Sequence, residues 1–394
     1  MKLNAILNIG CLLVSGFTSV VAGAASINLS SEFRADKMNP GKNEFTNTTP
    51  QGGHCYQWQS TCPAGTTSIS TPITISDRLF DGASVDKRKW SYMSMDSAEK
   101  NITLTHSITG VELVFKFRLT LLSQYYRGTG GISFNSPGVR PVGGCLGTIG
   151  MANGTAFYAF GWIFPEGVME CWRQPTTTGS RFISADTISI GYQLVTPNPL
   201  RIDSGKYIGS VRYSVGNGQQ IDLGEGNYSD NELVFNIEAT VHHDLIVGHI
   251  ANGGKAQLQP PGGWGRWMQG GPQPQRLEND STFILSGSGP FSVTLRCEHN
   301  DRNDCALKNA DNGDLVPVVT SLTVPGVMNA ETNALTEQTR LSNDGVPRLL
   351  YADSYLLNQR STLHFQTGGA ATQQMLSQPG SRWRGAVTLV FDAM

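Results

Sequence analysis

The stretch "SRWRGAVTLVFDAM", residues 381–394, determines how the second half of this sequence is interpreted. Ala386–Asp392 has the composition of a buried strand, with no Pro or Gly and with β-branched or aromatic residues at Val387, Thr388, Val390 and Phe391. Most domains finish on a turn, a frayed tail or an edge strand that carries charges. A strand of this kind so near the last residue raises the question of what pairs with it.

Length and composition predict two domains built from β-strands. The chain has 394 residues, and domains of about 100–200 residues are usual. Charged residues make up only 15 % of the chain, against about 25 % in typical proteins, and 45 residues are Gly. The formal net charge of −2 does not favour binding to nucleic acid or to an anionic membrane.

The N-terminus has the features of a signal peptide. Lys2 provides a positive charge, and an uncharged apolar run follows it. Ala22 and Ala24 form the small-residue pattern at which signal peptidase cleaves, so residues 1–24 are expected to be removed. No later segment approaches the roughly 18 apolar residues of a membrane span. The sequence therefore predicts an exported chain.

Removal of the signal peptide leaves six cysteines, which predict disulfides in an exported protein. Six cysteines allow 15 connectivities. Because they occur as close neighbours in the sequence, we expect the pairs Cys55–Cys62, Cys145–Cys171 and Cys297–Cys305.

Short strand-like segments separated by turn clusters follow one another along both halves of the chain. They include "VELVFKFRLTLL", "GTAFYAFGWIF", "STFILSGSG" and "FSVTLRC". This pattern predicts β-sandwiches or barrels. A polar, Gly-rich segment, "GNGQQIDLGEGNYSDNE", separates the halves, and it predicts domains at 25–230 and 231–394 with the boundary near Asp230.

Two segments of the chain share a local pattern. Each contains an aromatic residue, a Gly two positions later and then an alternating strand: Tyr207 with Gly209, and Trp383 with Gly385. The Gly in such a strand leaves room for a neighbouring aromatic ring or for a close approach of the backbone. The repetition favours two sandwiches of related plan.

The terminal stretch resembles the closing strand of subunits from Gram-negative chaperone–usher fimbriae. In that family an aromatic residue, a Gly and an alternating strand commonly finish the chain. The resemblance extends upstream through "ATVHHDLIVGHI" and "GPFSVTLRCEHN", so residues 231–394 resemble a pilin domain. It implies an immunoglobulin-like sandwich that lacks its last strand, with Val387, Leu389 and Phe391 at the edge of an open groove.

The resemblance also implies the partners and the location of the chain. Another polypeptide would supply the missing strand by β-augmentation. The donors would be a periplasmic pilus chaperone first and the next pilus subunit later, with an outer-membrane usher directing assembly at the cell surface. About 200 residues of another β domain stand where shaft subunits carry a donor strand, which implies a tip adhesin. Cys297 and Cys305 depart from the widely spaced cysteines of shaft pilins, which implies a divergent pilin domain.

A tip adhesin of this kind would bind a host glycan or glycoprotein through its first domain. Sugar sites combine an aromatic platform with hydrogen-bonding side chains. Three stretches have this composition: "HCYQWQSTC", "SQYYRGTGG" and "ECWRQPTTTG". The candidate ligand-binding residues are Tyr56, Trp58, Tyr125, Tyr126, Arg127, Trp172 and Arg173. Core packing beside a disulfide is the alternative for Trp58 and Trp172.

Other functions have less support in the sequence. No nucleophile elbow, His-Glu-x-x-His motif or phosphate-binding Gly loop is present, so we expect no enzyme, cofactor or metal site. His242 and His243 are adjacent and would face opposite sides of a strand. A non-binding tip adaptor and a secreted two-sandwich carbohydrate-active protein remain alternatives. Trp264 and Trp267 lie in a Gly- and Pro-rich segment that is either a loop over the second domain or a further contact surface.

Overall fold

The computed structural model describes six ranges of the chain: 24–62, 66–128, 140–148, 152–153, 157–176 and 179–394. The predicted signal peptide lies outside these residues except for Ala24, the first residue of the first strand. Among the described residues, no helix has the length and apolar character needed to cross a membrane.

The fold is all-β, as predicted, and the described residues form four sheets. The strands of the first half are β1 (Ala24–Arg34), β2 (Thr46–Asn47), β3 (Thr67–Thr71), β4 (Ile75–Asp81), β5 (Ser91–Met95), β6 (Lys100–His106), β7 (Glu112–Arg127), β8 (Leu146–Thr148), β9 (Ala152–Asn153), β10 (Phe157–Ile163), β11 (Glu170–Arg173), β12 (Ser180–Val195), β13 (Gly205–Ser214), β14 (Ile221–Asp222), β15 (Asn227–Tyr228) and β16 (Glu232–His242).

The second half contributes twelve described strands and two of the three short α-helices. The strands are β17 (Leu245–Ile250), β18 (Glu278–Gly287), β19 (Phe291–Cys297), β20 (Asn300–Asp301), β21 (Asp304–Asn309), β22 (Leu315–Thr323), β23 (Val327–Asn329), β24 (Thr339–Leu341), β25 (Arg348–Ala352), β26 (Leu356–Gln366), β27 (Trp383–Arg384) and β28 (Val387–Ala393). The helices are α1 (Gly53–Gln57), α2 (Gly265–Met268) and α3 (Gly369–Leu376).

The first domain packs a thirteen-stranded sheet against a three-stranded one. The main path of the large sheet is β15-β4-β12-β7-β6-β13-β16-β1-β2, and the small sheet is β11-β5-β14. The apolar core of this domain includes Phe80, Phe117 and Trp162, all with no exposed surface, and Phe117 packs against Phe235 of the same large sheet. The long strands β7 and β12 hold this core because their alternate side chains point into it.

The first domain extends beyond the boundary predicted at Asp230. Strand β16 lies between β13 and β1 in the first sheet, and it pairs with β1 in parallel from Ala24↔Glu232 to Arg34↔His242. Its residues Phe235 and Ile237 are buried in the first core. The Gly-rich segment before β16 is therefore a connection within the first domain, and the chain enters the second one between β16 and β17.

The second domain packs an eight-stranded sheet against a four-stranded one. The main paths are β17-β18-β26-β22-β21-β20 and β23-β25-β19-β28. A separate apolar core between these sheets includes Leu285, Val293 and Leu322, none of which has exposed surface.

The two glycines of the repeated pattern allow close approach of neighbouring strands. A Cβ on Gly209 would lie 2.4 Å from the carbonyl oxygen of Thr103, and one on Gly385 would lie 2.6 Å from that of Ala306. Both distances are too short for a side chain, so the close approach of the backbone is the reason for Gly at each position.

Direct contacts join the two domains. Arg201 forms an ion pair with Asp353 at 2.6 Å, and the Ser204 amide donates to the carbonyl oxygen of Met394 at 2.7 Å. The ring of His243, which follows β16, hydrogen-bonds the Ile202 carbonyl through Nε2 at 2.8 Å. The end of the last strand therefore reaches the joint between the domains.

Candidate functional sites at the open strand edge and on the first domain

The last strand of the chain lies at the edge of its sheet. Among the described strands, β28 pairs with β19 alone, antiparallel from Phe291↔Ala393 to Cys297↔Val387. The predicted strand Ala386–Asp392 matches β28 to within one residue at each end. Its edge position follows from the sheet order and does not by itself establish that a strand is missing.

The hydrogen bonds at the two ends of β28 show which of its backbone groups face outward. The Glu298 amide donates to the Ala386 carbonyl at 2.9 Å, and the Met394 amide donates to the Pro290 carbonyl at 3.1 Å. Antiparallel ladders alternate, so the even-numbered residues of β28 bond with β19. The N–H and C=O groups of Val387, Leu389 and Phe391 therefore point away from β19, toward the open side.

The side chains of these three residues form an apolar row that is only partly covered. Val387, Leu389 and Phe391 pack against the second core, and all three are half-buried. Their neighbours on the same face of β19 are 2 % exposed or less: Phe291, Val293 and Leu295. The Phe391 ring lies 5.7 Å from that of Phe283 in the facing sheet, centroid to centroid. The core is thus closed over β19 and open beside β28.

Strand β17 forms the opposite wall of this open side. It is the edge strand of the facing sheet, pairs with β18 and approaches β28. Ile246, Val247 and Ile250 on β17 are 46 %, 42 % and 49 % exposed. Strands β28 and β17 therefore flank the same groove, and apolar side chains on both remain at least partly exposed, a surface that soluble proteins normally avoid.

The Cys55–Cys62 disulfide closes the loop that carries the first predicted sugar-binding stretch. All three predicted disulfides are present in the structure. Tyr56 on α1 is 60 % exposed, whereas Trp58 is half-buried with its ring centroid 4.9 Å from that of His54. Tyr56 is available to a ligand, and Trp58 belongs partly to the packing of the loop.

His54 anchors this loop on the sheet below it. Its Nε2 lies 2.7 Å from the Thr148 hydroxyl, which in turn donates to the Gly161 carbonyl at 2.8 Å. Since that hydroxyl uses its proton on the carbonyl, Nε2 carries the proton in the His54 contact. Burial lowers the pKa of His54 to about 4, so the imidazole is neutral at physiological pH.

The second predicted stretch is divided between the surface and the core. Tyr125 and Arg127 lie on the outer face of β7, with the guanidinium 4.9 Å from the Tyr125 ring centroid and paired with Asp186. Tyr126 was predicted as a ligand-binding residue, but it is fully buried. Its ring packs between Phe160 and the guanidinium of Arg78. Consecutive strand residues face opposite sides, so Tyr126 is a core residue.

The third predicted stretch lies on the other side of the first domain. Trp172 is on β11 and pairs with Tyr92 of the small sheet. Lys87 Nζ lies 4.4 Å from the Trp172 ring centroid and pairs with Glu170. Trp172 and Arg173 are both half-buried. Trp172 lies on the three-stranded sheet and Tyr125 on the thirteen-stranded one, so the predicted residues do not form one compact site.

The end of the first domain that is distal to the second domain nevertheless brings Arg173 near residues of the large sheet. Strand β12 runs about 50 Å from this end to the domain joint. Gln174, after β11, donates to the carbonyl of Gly82, after β4, at 3.0 Å. Asp81 of β4 pairs with Ser180 of β12. Arg173 on one layer and Arg181 on the other therefore come to the same end.

Phe182 and Arg181 are surface residues that the sequence interpretation missed. Phe182 is 69 % exposed, beside the exposed Arg181 at the start of β12. The available signal was an aromatic residue next to an arginine, two residues after Gly179, the same kind of pattern that drew attention to Arg127. Among the described residues, no group of three or more His, Cys, Asp or Glu side chains could hold a metal ion.

Comparison with known proteins finds similarity among solved structures only. No protein-family model and no curated protein matches the chain. The solved structures that resemble it over most of its length include tip adhesins of chaperone–usher fimbriae, alone or with a chaperone.

The similarity to each of these structures is low. A chaperone–tip adhesin complex of CFA/I fimbriae has 11 % identity and a TM-score of 0.25, covering 94 % of this chain and 97 % of that one. CfaE, the adhesive subunit of the CFA/I fimbria of enterotoxigenic Escherichia coli, has 10 % identity and a TM-score of 0.23, covering 94 % and 95 %. The chaperone–tip subunit complex of Csu pili from Acinetobacter baumannii has 11 % identity and a TM-score of 0.21, covering 94 % and 98 %.

Proposed function

We propose that this protein is the tip adhesin of a chaperone–usher fimbria, exported through the periplasm and completed by a strand from another polypeptide. The observation that carries the proposal is the open side of β28. There a half-buried apolar row faces the apolar edge strand β17, and it consists of Val387, Leu389 and Phe391. The outward-pointing backbone groups of the same three residues face β17 as well.

A donated strand would satisfy both kinds of group at once. Each apolar side chain that completes the core contributes roughly 1.5–3 kcal/mol, and each new backbone hydrogen bond contributes about 1 kcal/mol. The periplasmic chaperone would fill the groove first, and the next subunit would replace it at the usher. The function is recognition and attachment, without turnover or cofactor.

The pairing of β1 supports a position at the tip. All eleven residues of β1 pair with β16 inside the first domain, and β2 pairs with part of its other side. The first described strand of the chain is therefore occupied within its own fold. Because this strand is not free to be donated to a neighbouring subunit, its pairing supports a position at the end of the fibre.

The distal end of the first domain is the proposed receptor site. Arg173 and Arg181 come from two layers, Phe182 beside Arg181 in the sequence is exposed, and neither arginine forms an ion pair with another described residue. Guanidinium donors beside an apolar ring suit the hydroxyls and C–H faces of a host glycan. Tyr56 and Tyr125 lie on the adjoining outer face.

A second candidate function is a tip adaptor that binds no receptor. The specific observation in its favour is that Arg127 is paired with Asp186 and Lys87 with Glu170, so these charges are already neutralised. The two functions share the open groove and differ only at the first domain.

Periplasmic expression tests the proposal. The chain alone should aggregate or be degraded, whereas co-expression with a pilus chaperone from the same bacterium should give a soluble one-to-one complex. A soluble monomer without a partner would contradict the open groove. Glycan-array and host-cell binding by the complex then separate adhesin from adaptor, since an adaptor gives no specific signal in either assay.

A further inference from the structure

Arg78 of β4 is the one Lys or Arg side chain that is buried among the described residues, and it forms no ion pair with any of them. Its Nε and Nη2 donate to the carbonyl oxygens of Leu223 and Trp90, each at 2.6 Å. Its Nη1 is buried without a hydrogen-bond partner among the described residues. Carbonyl groups do not neutralise a full charge, so the described side chains leave a buried cation uncompensated.

The one buried carboxylate of the described residues is already engaged. Asp222 accepts hydrogen bonds at 2.8–3.2 Å from a guanidinium, two backbone amides and a hydroxyl, which belong to Arg88, Gly218, Gly224 and Tyr228. These contacts use the roughly four acceptor positions of a carboxylate. Asp222 therefore compensates Arg88 and has no position left for a second buried cation.

Two further buried polar side chains border the same part of β5. Ser91 follows Trp90, whose carbonyl accepts from Arg78, and its Oγ is buried without a described partner. Gln124 of β7 donates to the Tyr92 carbonyl at 2.9 Å, and its Oε1 is buried and unpartnered in the same sense. Because the three residues of β5 are consecutive, the side chains of Arg78, Ser91 and Gln124 come together between the large and the small sheet.

The walls around the guanidinium restrict what can bind there. The rings of Phe80 and Tyr126, neither with any exposed surface, have their centroids 5.9 and 5.3 Å from Arg78 Cζ. Their π faces offset only part of the cost of burying the charge. A Cβ on Gly224 would lie 2.6 Å from Nη2, so the side of the guanidinium that meets the carbonyls is tightly packed. A site with these walls suits a single ion better than a sugar or an organic acid.

We propose that the first domain binds a chloride ion between its two sheets, with Arg78 Nη1 and the Ser91 hydroxyl as donors. The ion neutralises the buried charge, and a serine hydroxyl can turn its proton toward it. Gln124 Oε1 is an acceptor and takes no part in holding the anion, and a water molecule would satisfy it. The inference does not depend on the proposed function.

The chloride site lies beneath the proposed receptor end. Ser91 is opposite Arg173 in the small sheet, and Arg78 is opposite Ile183, two residues from Arg181, in the large one. A chloride ion bound to both layers would therefore hold together the strands that carry the two exposed arginines.

Long-wavelength diffraction tests the site directly. Crystals of the wild-type chain in complex with its pilus chaperone, grown in sodium chloride, should show an anomalous peak in contact with Arg78 Nη1. Chlorine scatters anomalously at such wavelengths and the oxygen of water does not. Water alone at this position, or chloride confined to the surface of the protein, would overturn the proposal.

Hydrogen exchange of the same complex gives an independent measurement in solution. A tenfold rise in chloride, balanced by gluconate to keep the ionic strength constant, should slow exchange in β4 and β5 by up to tenfold, because the ion binds only the closed form. The amides of β22 in the second domain are the internal control and should exchange at the same rate. Equal rates in β4 and β5 at both chloride concentrations would overturn the proposal.

A pair of variants assigns the effect to Arg78. Arg78→Gln should remove the chloride dependence of exchange, whereas Arg212→Gln, at an exposed position on β13, should keep it. A chloride dependence that persists in Arg78→Gln would overturn the assignment. If Arg78→Gln does not fold, diffraction from the wild-type complex decides the question.

Discussion

Tyr126 illustrates how one side chain of the large sheet is built into the core of the first domain. It has no exposed surface, and its ring lies against Phe160 while the Arg78 guanidinium stands 5.3 Å from its centroid. Arg78 is itself fully buried, and it donates to the carbonyls of Leu223 and Trp90, each at 2.6 Å. Loss of the Tyr126 ring would leave a cavity beside a buried cation.

Tyr126→Ala should therefore destabilise the protein by about 3–5 kcal/mol. Tyr125→Ala, one residue away on the outer face, should cost about 1 kcal/mol or less. Urea unfolding of the two variants in the chaperone complex measures the difference. Equal stabilities would contradict the placement of Tyr126 in the core.

The buried His54 makes stability depend on pH. Its folded pKa of about 4 lies below the unfolded value of about 6.5, so the unfolded chain binds the proton more tightly. The stabilisation is therefore complete above pH 6.5 and is lost as the pH falls toward 4, by about 3 kcal/mol in total. His54→Gln should flatten this dependence relative to wild type when unfolding is measured from pH 7 to 4.

His243 is a second buried histidine that contributes to the same measurement. Burial lowers its pKa as well, so the wild-type protein has a second source of acid sensitivity that His54→Gln leaves in place. A His54→Gln variant whose stability falls with pH as steeply as that of the wild type would contradict the neutral, buried His54.

Residue identity alone predicted the covalent links and part of the surface. The cysteine pairs could be read from their spacing because each pair is close in sequence. For the "YYR" stretch, residue identity does not show which side chains are on the surface and which are in the core. Strand alternation requires that neighbouring side chains face opposite sides, but only the fold shows that Tyr126 is the inner one.

At the scale of elements, both the side chains and the backbone groups of β28 alternate in direction along the strand. Its odd-numbered side chains face the second core, and its odd-numbered backbone groups face the open edge. Val387, Leu389 and Phe391 consequently serve as both the apolar contacts and the hydrogen-bonding positions of the same site. A substitution on this row, other than to Pro, changes the apolar contacts of the groove and leaves its backbone hydrogen-bonding groups in place.

Leu389→Asp should reduce the yield of chaperone complex at least tenfold, because a charge would enter the partly buried row without a partner. Thr388→Asp introduces the same charge on the exposed face and should give a normal yield. Co-purification of the chaperone with each variant measures the effect. A normal yield for Leu389→Asp would contradict the groove.

Local sequence predicted the existence of strands better than their sheet membership. The composition of Val387–Ala393 gave its bounds to within one residue at each end. Strand β16 was also visible as "LVFNIEATV", but nothing in those residues indicates that β1 and β13, far away in sequence, are its neighbours. Which strands are neighbours in a sheet depends on contacts between residues far apart in the sequence. The domain boundary predicted near Asp230 therefore came before β16, which the structure places in the first domain.

At the scale of the whole molecule, the first domain separates the two proposed interaction surfaces. The proposed receptor site is at its distal end, and the groove is in the second domain. The distal end carries Arg181 and Phe182, and the groove lies beyond the joint at Arg201 and Asp353. This arrangement places a receptor site away from a fibre attachment. The separation follows from strands such as β12 that run the length of the first domain.

The receptor end makes a prediction for binding. The double variant Arg181→Ala/Phe182→Ala should lower binding of the chaperone complex to host cells at least tenfold, since it removes a donor and an apolar platform together. Ile208→Ala, at an exposed position on β13, is a control that should bind normally. Unchanged binding by the double variant would favour the adaptor function.

Hydrogen exchange along β28 in the chaperone complex tests the central claim most directly. If another chain's strand pairs with β28, the amides of Leu389 and Phe391 should be slowed by roughly a hundredfold or more, as should those of Thr388 and Val390. Protection of Thr388 and Val390 alone, with fast exchange at Leu389 and Phe391, would show a free edge and contradict the account.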